Sequence, residues 1–359
     1  MTAKLTRSLV IALTGYAFFS LPLATGVWAQ QAMTDAQAAM AAVDYSCARP
    51  DAGSTTKISV AALPIVSNAA MFAAADLGIF AKHGLSVEFT MLGSLPPTIS
   101  AVQGGAVDFA FTGTFNVFQA AERGIDLVFV APFAGMAPGY WDKMQAGEAG
   151  YTREITAILV AEGSGIDNPG DLEGKVLALP DRKGQFDLTA RAVIRKHGGD
   201  PEKVKYVVMN YTDSINALMA GQVDAALSID PQIRTAEAAG YKIISWPGVE
   251  ALKEGPTSAI VSTGAFIANN PETVARMNCV IREAAALALS DPDLLRKTTA
   301  ERQKVDPSTL ANSVVPYFYS SIDIAGLQRF YEIQTEEGFV TGSLAINKLV
   351  IPQALSRDE

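Results

Sequence analysis

Three short loops hold the first residues whose types could do chemistry. They are Pro64-Ile65-Val66-Ser67-Asn68, Gly93-Ser94-Leu95-Pro96-Pro97-Thr98 and Thr112-Gly113-Thr114-Phe115-Asn116. Each follows a β-rich apolar run and leads into a helical one. Small hydroxyl and amide side chains therefore sit beside the free backbone N–H groups of a helix start. One such loop is ordinary N-capping; three at one sheet edge can hold the polar groups of a small solute. Later in the chain Pro180-Asp181-Arg182-Lys183-Gly184-Gln185-Phe186, Asn210-Tyr211-Thr212-Asp213 and Ser228-Ile229-Asp230-Pro231 add a cation, aromatic rings and acids. Arg182 suits a carboxylate, sulfonate or phosphate. The other reading of Arg182 and Lys183 is an exposed, solvated turn. Tyr140 and Trp141 either cover a flat ligand or fill the core.

Catalytic sets are missing from this inventory. The two histidines, His83 and His197, each end a helical run in Lys-His-Gly, a cation near a helix C-terminus. No CxxC, HExxH, GxSxG or phosphate-loop pattern occurs, and the Gly-Lys-Val at Gly174 lacks the upstream glycines such a loop needs. The sequence thus points to a binding protein with no metal, no cofactor and no catalytic residue.

The elements that must position these loops alternate. Strands such as KISVAAL, LSVEFTML and VDFAFT are separated by helical runs, which predicts an α/β fold with largely parallel sheets. The stretch ISAVQGGAVDFAFT, 99–112, returns without a gap as INALMAGQVDAALS, 215–228. The shared pattern is a helix ending at Gly105 or Gly221, then a strand opened by Val107-Asp108 or Val223-Asp224. It predicts two lobes built on one helix–turn–strand unit. The aspartates are expected to be structural, satisfying loop or helix-end amides. Long apolar runs, ITAILVAEG and SAIVSTGAF, read as crossovers between the lobes. The expected division is a leader at 1–29, an N-terminal extension at 30–55, lobe one from 56–150 and 256–359, and lobe two from 151–255.

The leader reading rests on Lys4 and Arg7, an apolar run from Leu9, and Val27-Trp28-Ala29. That is the layout of a secretory signal peptide cleaved after Ala29. Removing 1–29 takes away two positive charges and moves the net charge from −9 to −11, leaving 330 residues. Such an acidic, dispersed balance argues against nucleic acid and anionic membranes as partners. Export permits a disulfide between Cys47 and Cys279, although two buried free thiols are the alternative.

Four segments resemble a known family. They are AAADLGIFAKHGLSVEF (73–89), GIDNPGDLEGKVLAL (165–179), ALMAGQVDAALSIDP (217–231) and NNPETVARM (269–277). Together they resemble ABC-transporter periplasmic substrate-binding proteins of the nitrate/sulfonate/taurine type, a group that also includes binders of thiamine pyrimidine precursors. The similarity runs over roughly residues 57–347. It implies a type II clamshell: two lobes, each a mostly parallel sheet flanked by helices, with two crossover strands. It implies a periplasmic monomer that captures a small organic solute and docks transiently on an ABC permease in the inner membrane. Sulfonate, taurine-like, nitrate, pyrimidine-precursor and aromatic-acid solutes all fit. By position, Ser67, Asn68, Ser94, Thr112, Gly113 and Thr114 would line the cleft from lobe one. Arg182, Gln185, Phe186, Tyr211 and Asp230 would line it from lobe two. The chain departs from the family in an insertion near 135–153 and in the charged DRKGQFD loop. Related folds include pathway enzymes and sensory proteins, which are the competing classes.

Overall fold

The repeated aspartate shows how each lobe is assembled. Asp108 accepts hydrogen bonds through Oδ2 from the Ser59 backbone N–H (2.7 Å) and hydroxyl (2.9 Å), while its own N–H bonds the Ser59 carbonyl (3.0 Å). Asp224 does the same to Val176, taking its N–H at 2.7 Å and giving its own N–H to the carbonyl at 3.0 Å. Each aspartate clips the start of its strand to the neighbouring parallel strand. These are structural roles, with a neighbouring strand as partner where a loop or helix end was expected. The glycine before each unit, Gly105 at φ 71 and Gly221 at φ 66, takes the left-handed conformation that ends the helix cheaply without a Cβ.

The computed structural model describes residues 24–43, 47 and 55–355, with backbone only for 24–29. The expected leader therefore lies mostly outside the described residues. The expected extension is more than a tail: helix α1 (Ala24–Ala41) packs on lobe one, with Ala36 and Met40 fully buried. The chain continues through β1 (Thr56–Ala62), α2 (Val66–Asp76), α3 (Ile79–Lys82), β2 (Leu85–Met91) and α4 (Leu95–Gln103). Next come β3 (Phe109–Gly113), α5 (Thr114–Glu122), β4 (Val128–Pro132), β5 (Ala134–Met136) and α6 (Tyr140–Gln145). Lobe two supplies β6 (Thr156–Ala161), β7 (Val176–Leu179), α7 (Gln185–Lys196), β8 (Lys205–Val208), α8 (Tyr211–Met219) and β9 (Ala225–Ile229). It ends with α9 (Gln232–Ala238), β10 (Tyr241–Ser245) and α10 (Pro247–Leu252). The return is β11 (Gly255–Pro256), β12 (Ser258–Ser262), α11 (Gly264–Asn269), α12 (Pro271–Ser290), α13 (Pro292–Gln303), β13 (Tyr317–Phe318) and α14 (Ile324–Glu336).

Two five-stranded sheets result, in the orders β2-β1-β3-β12-β4 and β10-β6-β9-β7-β8. In the first, β1, β2 and β3 are parallel and β12 runs against β3 and β4. In the second, β7, β8 and β9 are parallel and β6 runs against β9 and β10. The fully buried β3, β4 and β12 carry continuous apolar runs, as expected for strands covered on both faces. Each crossover strand lies wholly inside one sheet, so the chain passes between lobes just before β6 and just before β12. A third, three-stranded sheet, β11-β5-β13, ties the two passages together.

The C-terminal segment is fixed to lobe one by aromatic packing. Phe330 stacks on Phe115 with centroids 5.3 Å apart, Tyr331 meets Phe118 at 5.4 Å and Phe318 meets Phe133 at 5.2 Å. Burial of one such side chain stabilises by about 1.5–3 kcal/mol. Cys47 is disulfide-bonded to Cys279 of α12, with Cα atoms 5.4 Å apart. The two Lys-His pairs occupy helix ends as expected. His83 ends α3 and meets Glu283 at 2.8 Å; His197 ends α7 and meets Glu250 at 2.7 Å.

Replacing Asp108 or Asp224 by alanine leaves a strand N–H without its acceptor. Each change should lower stability by about 1–3 kcal/mol in urea unfolding, and the asparagine variants, which keep an acceptor oxygen, should lose less. Stability unchanged in both alanine variants would contradict the clip.

Candidate functional site

The parallel strands of both sheets end at facing edges, and a cavity of about 280 Å³ lies between them. Lobe one contributes the β1–α2 loop from Leu63 to Ser67, Leu95 at the start of α4, and Phe111 and Gly113 of β3. Thr257 and Ser258 come from the start of β12, Gln303 from the end of α13, and Val314 and Pro316 from the segment before β13. Lobe two contributes Glu154 and Thr156 at the start of β6, Gln185 and Phe186 of α7, Tyr211 of α8, and Asp230, Pro231 and Gln232. An outer section of the same cleft, about 500 Å³, shares Leu63, Leu95, Phe186 and Tyr211 with it. The outer section is lined by Ser94, Asn116, Gln119, Arg123, Asp181, Arg182 and Lys183 among others. Across it, the Gln119 side chain donates to the Lys183 carbonyl, joining the lobes.

Six of the eleven expected ligand-binding residues meet in the inner cavity: Ser67, Gly113, Gln185, Phe186, Tyr211 and Asp230. Ser94 and Arg182 lie in the outer section. Arg182 is already engaged there, 3.1 Å from Asp187 and with its guanidinium 4.0 Å from the centre of the Tyr206 ring. The remaining three are placed elsewhere, for reasons of phase. Thr112 is fully buried between Phe111 and Gly113, and the period of two along β3 turns it to the other face of the sheet. Thr114 donates to the Pro256 carbonyl at 2.7 Å, which anchors α5 to β11. Asn68, two residues into α2, is turned into the lobe-one interior and fully buried. Tyr140 and Trp141 do not line this cavity: Tyr140 donates to the Arg153 carbonyl, and Trp141 lies under Lys196 (4.4 Å) and Lys253 (4.1 Å).

Sequence reasoning missed Glu154, Thr156, Thr257, Ser258, Gln303, Val314 and Pro316. The search followed strand ends that lead into helices. Because β6 and β12 run antiparallel to their neighbours, their starts, not their ends, reach the cleft. The detectable signal was the pair of crossovers itself. Gln303 is held in place by donating to the Pro64 carbonyl at 2.7 Å.

Burial governs the electrostatics. The Glu154 carboxyl, 6% exposed, is pushed up to about 7 by burial, against the Thr156 N–H (3.0 Å) and hydroxyl (2.5 Å) that favour its charge. Asp230 is also raised by burial, partly offset by Arg234 at 3.5 Å. Asp181 in the outer section is pushed up to about 6, again chiefly by burial, although it accepts the Asp187 N–H at 3.2 Å. Burial likewise raises the Tyr211 phenol. Neither histidine lines the cavity: His83 meets Glu283 and His197 meets Glu250. Among the described residues no group of three or more His, Cys, Asp or Glu side chains is placed to hold a metal ion. The arrangement can enclose a small molecule between apolar walls and a few polar atoms.

Known proteins share this plan. The model of the family described as NMT1/THI5 like matches residues 66–138 and 145–294. A Brucella abortus protein provisionally named a binding protein is 25% identical over 239 residues, covering 66% of this chain and 68% of that one. An Escherichia coli protein provisionally named an aliphatic sulfonates-binding protein is 28% identical over 208 residues, 58% of this chain and 56% of that one. The fold matches that of the periplasmic aliphatic sulphonate binding protein of Escherichia coli, with a TM-score of 0.65 at 16% identity over 85% of this chain and 95% of that one. It also matches the periplasmic nitrate-binding protein of Synechocystis PCC 6803, with a TM-score of 0.64 at 12% identity over 85% and 88%. A desulfurization enzyme shares it too, with a TM-score of 0.59 at 15% identity over 82% and 96%. These likenesses are to two-lobe binding proteins in the main, and the family model covers more than half of the sequence; the chain belongs to the NMT1/THI5-like family.

Proposed function

We propose that this chain is the solute-binding component of an ABC importer, trapping a small organic molecule between its lobes and presenting both lobes to a permease. The observation that carries this is the inner cavity, whose walls come in comparable measure from two separate sheets. A molecule held there bridges the lobes, so binding and lobe closure are one event. The family, the relatives named for binding and the sulfonate- and nitrate-binding neighbours support the same reading. We place the protein in the periplasm as a monomer; the leader-like N-terminus and the Cys47–Cys279 bond support export. The desulfurization enzyme among the neighbours means that the fold alone does not separate binding from catalysis. Recovery of the bound molecule chemically unchanged separates them.

A thermal-shift screen over sulfonates, nitrate, amino compounds, aminopyrimidines and aromatic acids tests the reading. At least one class should raise the melting temperature. Phe186→Ala and Tyr211→Ala, which strip apolar wall from both cleft sections, should each weaken that solute by about tenfold or more in calorimetry. A screen with no stabilising compound, or affinity unaltered in both variants, would count against it.

The buried acid of the cavity gives a second outcome. Raising Glu154 from 4.5 to about 7 means the folded protein binds its proton more tightly than the unfolded chain does. Stability without solute should therefore fall as pH rises through that window, by roughly 3 kcal/mol at most. Glu154→Gln should remove this fall, leaving the comparable one from Asp181 between 3.8 and about 6. Urea unfolding at pH 4.5, 6 and 8 reads the difference; the same slope in both proteins would show that Glu154 is not held protonated.

A further inference from the structure

The inner cavity is lined by two acids, Glu154 and Asp230, and, among the described residues, by no lysine, arginine or histidine. Both carboxylates sit at one sheet edge. Thr156 pairs with Ile229 in the antiparallel β6–β9 ladder, so Glu154, just before β6, and Asp230, just after β9, leave the ladder at the same end. Among the described residues no cationic side chain forms an ion pair with Glu154; its hydrogen bonds come from Thr156 and the Ile155 N–H. The Asp230 side chain is 8% exposed. Its Oδ2 lies 3.5 Å from Arg234 Nε and 3.4 Å from the Val314 N–H, but its Oδ1 is buried with no hydrogen-bond partner. A buried acceptor without a donor is costly, and Asp230 recovers that cost if a guest's donor draws Oδ1 round toward the cavity.

On lobe two the places where an anion would ordinarily bind are taken. Oxyanions in α/β clefts sit on helix N-termini. At the start of α7 the chain provides Asp181, which accepts the Asp187 N–H at 3.2 Å, and Asp187 itself. At the start of α8, Asn210 accepts the Asp213 N–H at 2.9 Å, and Asp213 adds a charge in the first turn. Asp230 stands just ahead of α9. In lobe one, α2, α4 and α5 begin at the cavity with neither a side-chain cap nor an acid in the first turn, although Pro96 and Pro97 remove two N–H donors from α4 and the Thr114 N–H of α5 bonds the Thr257 carbonyl at 2.9 Å. Meanwhile Phe111, Phe186 and Tyr211 give the cavity aromatic walls, with Phe186 and Tyr211 packed edge to face.

We infer that the inner cavity takes a solute bearing an ammonium, amidinium or amino N–H group on an apolar or aromatic frame, directed at Glu154 and Asp230, and not a bare sulfonate or nitrate. This rests on the solute-binding reading above and narrows it. The outer section, with Arg123, Arg182 and Lys183, leaves room for an acidic tail on the same solute.

Isothermal titration of the purified full chain with charge-matched probes decides it. Benzylamine and benzamidine are compared with benzenesulfonate and benzoate. The cations should bind at least about tenfold more tightly than the anions. Glu154→Gln and Asp230→Asn, two independent variants checked for a folded circular dichroism spectrum, should each weaken the cations by about tenfold and leave the anions no weaker. Tighter binding of either anion, or cation affinity unchanged in both variants, overturns the inference. If anions bind here or in the thermal-shift screen while amines do not, the inference falls and the solute-binding reading stands. If neither charge class binds in either assay, both fall.

Discussion

The structure depends on one arrangement: a single antiparallel strand entered from the cleft edge in each otherwise parallel sheet. Parallel strands with right-handed crossovers all end at one edge, where helix starts expose N–H groups. A chain that must leave one lobe, build another and come back has to cross at that same edge. It does so at Glu154–Thr156 and at Thr257–Ser258, entering β6 and β12 against the direction of their neighbours. The linkers thereby become walls of the cavity they connect. The residues that link the lobes line the cavity between them.

Both lobes use the same local devices to build this edge. An aspartate clips strand to strand at the far edge, and a left-handed glycine ends the preceding helix. A Lys-His helix end holds a glutamate from an incoming helix: Lys82 and His83 hold Glu283, and Lys196 and His197 hold Glu250. Burial alone would raise both glutamates, but these partners hold them below their ordinary values. The duplicated ionic clamps lie outside the cavity lining.

Much of this was legible in the sequence. The repeat around Asp108 and Asp224 gave away two lobes because one geometry needs one pattern of small, apolar and acidic residues. The strand-end loops gave Ser67, Gly113, Gln185, Phe186, Tyr211 and Asp230, because strand ends in such sheets share an edge. Side-chain direction was not legible: Thr112 is one residue from Gly113 and faces the opposite side, and Asn68 is one residue from Ser67 and turns inward. Nor was strand direction. Following only strand ends hid the starts of β6 and β12, and so Glu154, Thr257 and Ser258, and with Glu154 half of the acidic lining. The docking of residues 30–41 as helix α1 was missed because an Ala-rich run gives little amphipathic contrast to read.

The central claim is that a solute is enclosed by closure of two lobes. Spin labels at Arg123 of lobe one and Lys183 of lobe two, both exposed on the outer section of the cleft, report its width directly. Pulsed dipolar spectroscopy with and without the solute identified by screening should show a longer, broader distance in the free protein and a shorter, narrower one when it is bound. The same distance in both states, with the solute bound, would contradict the account.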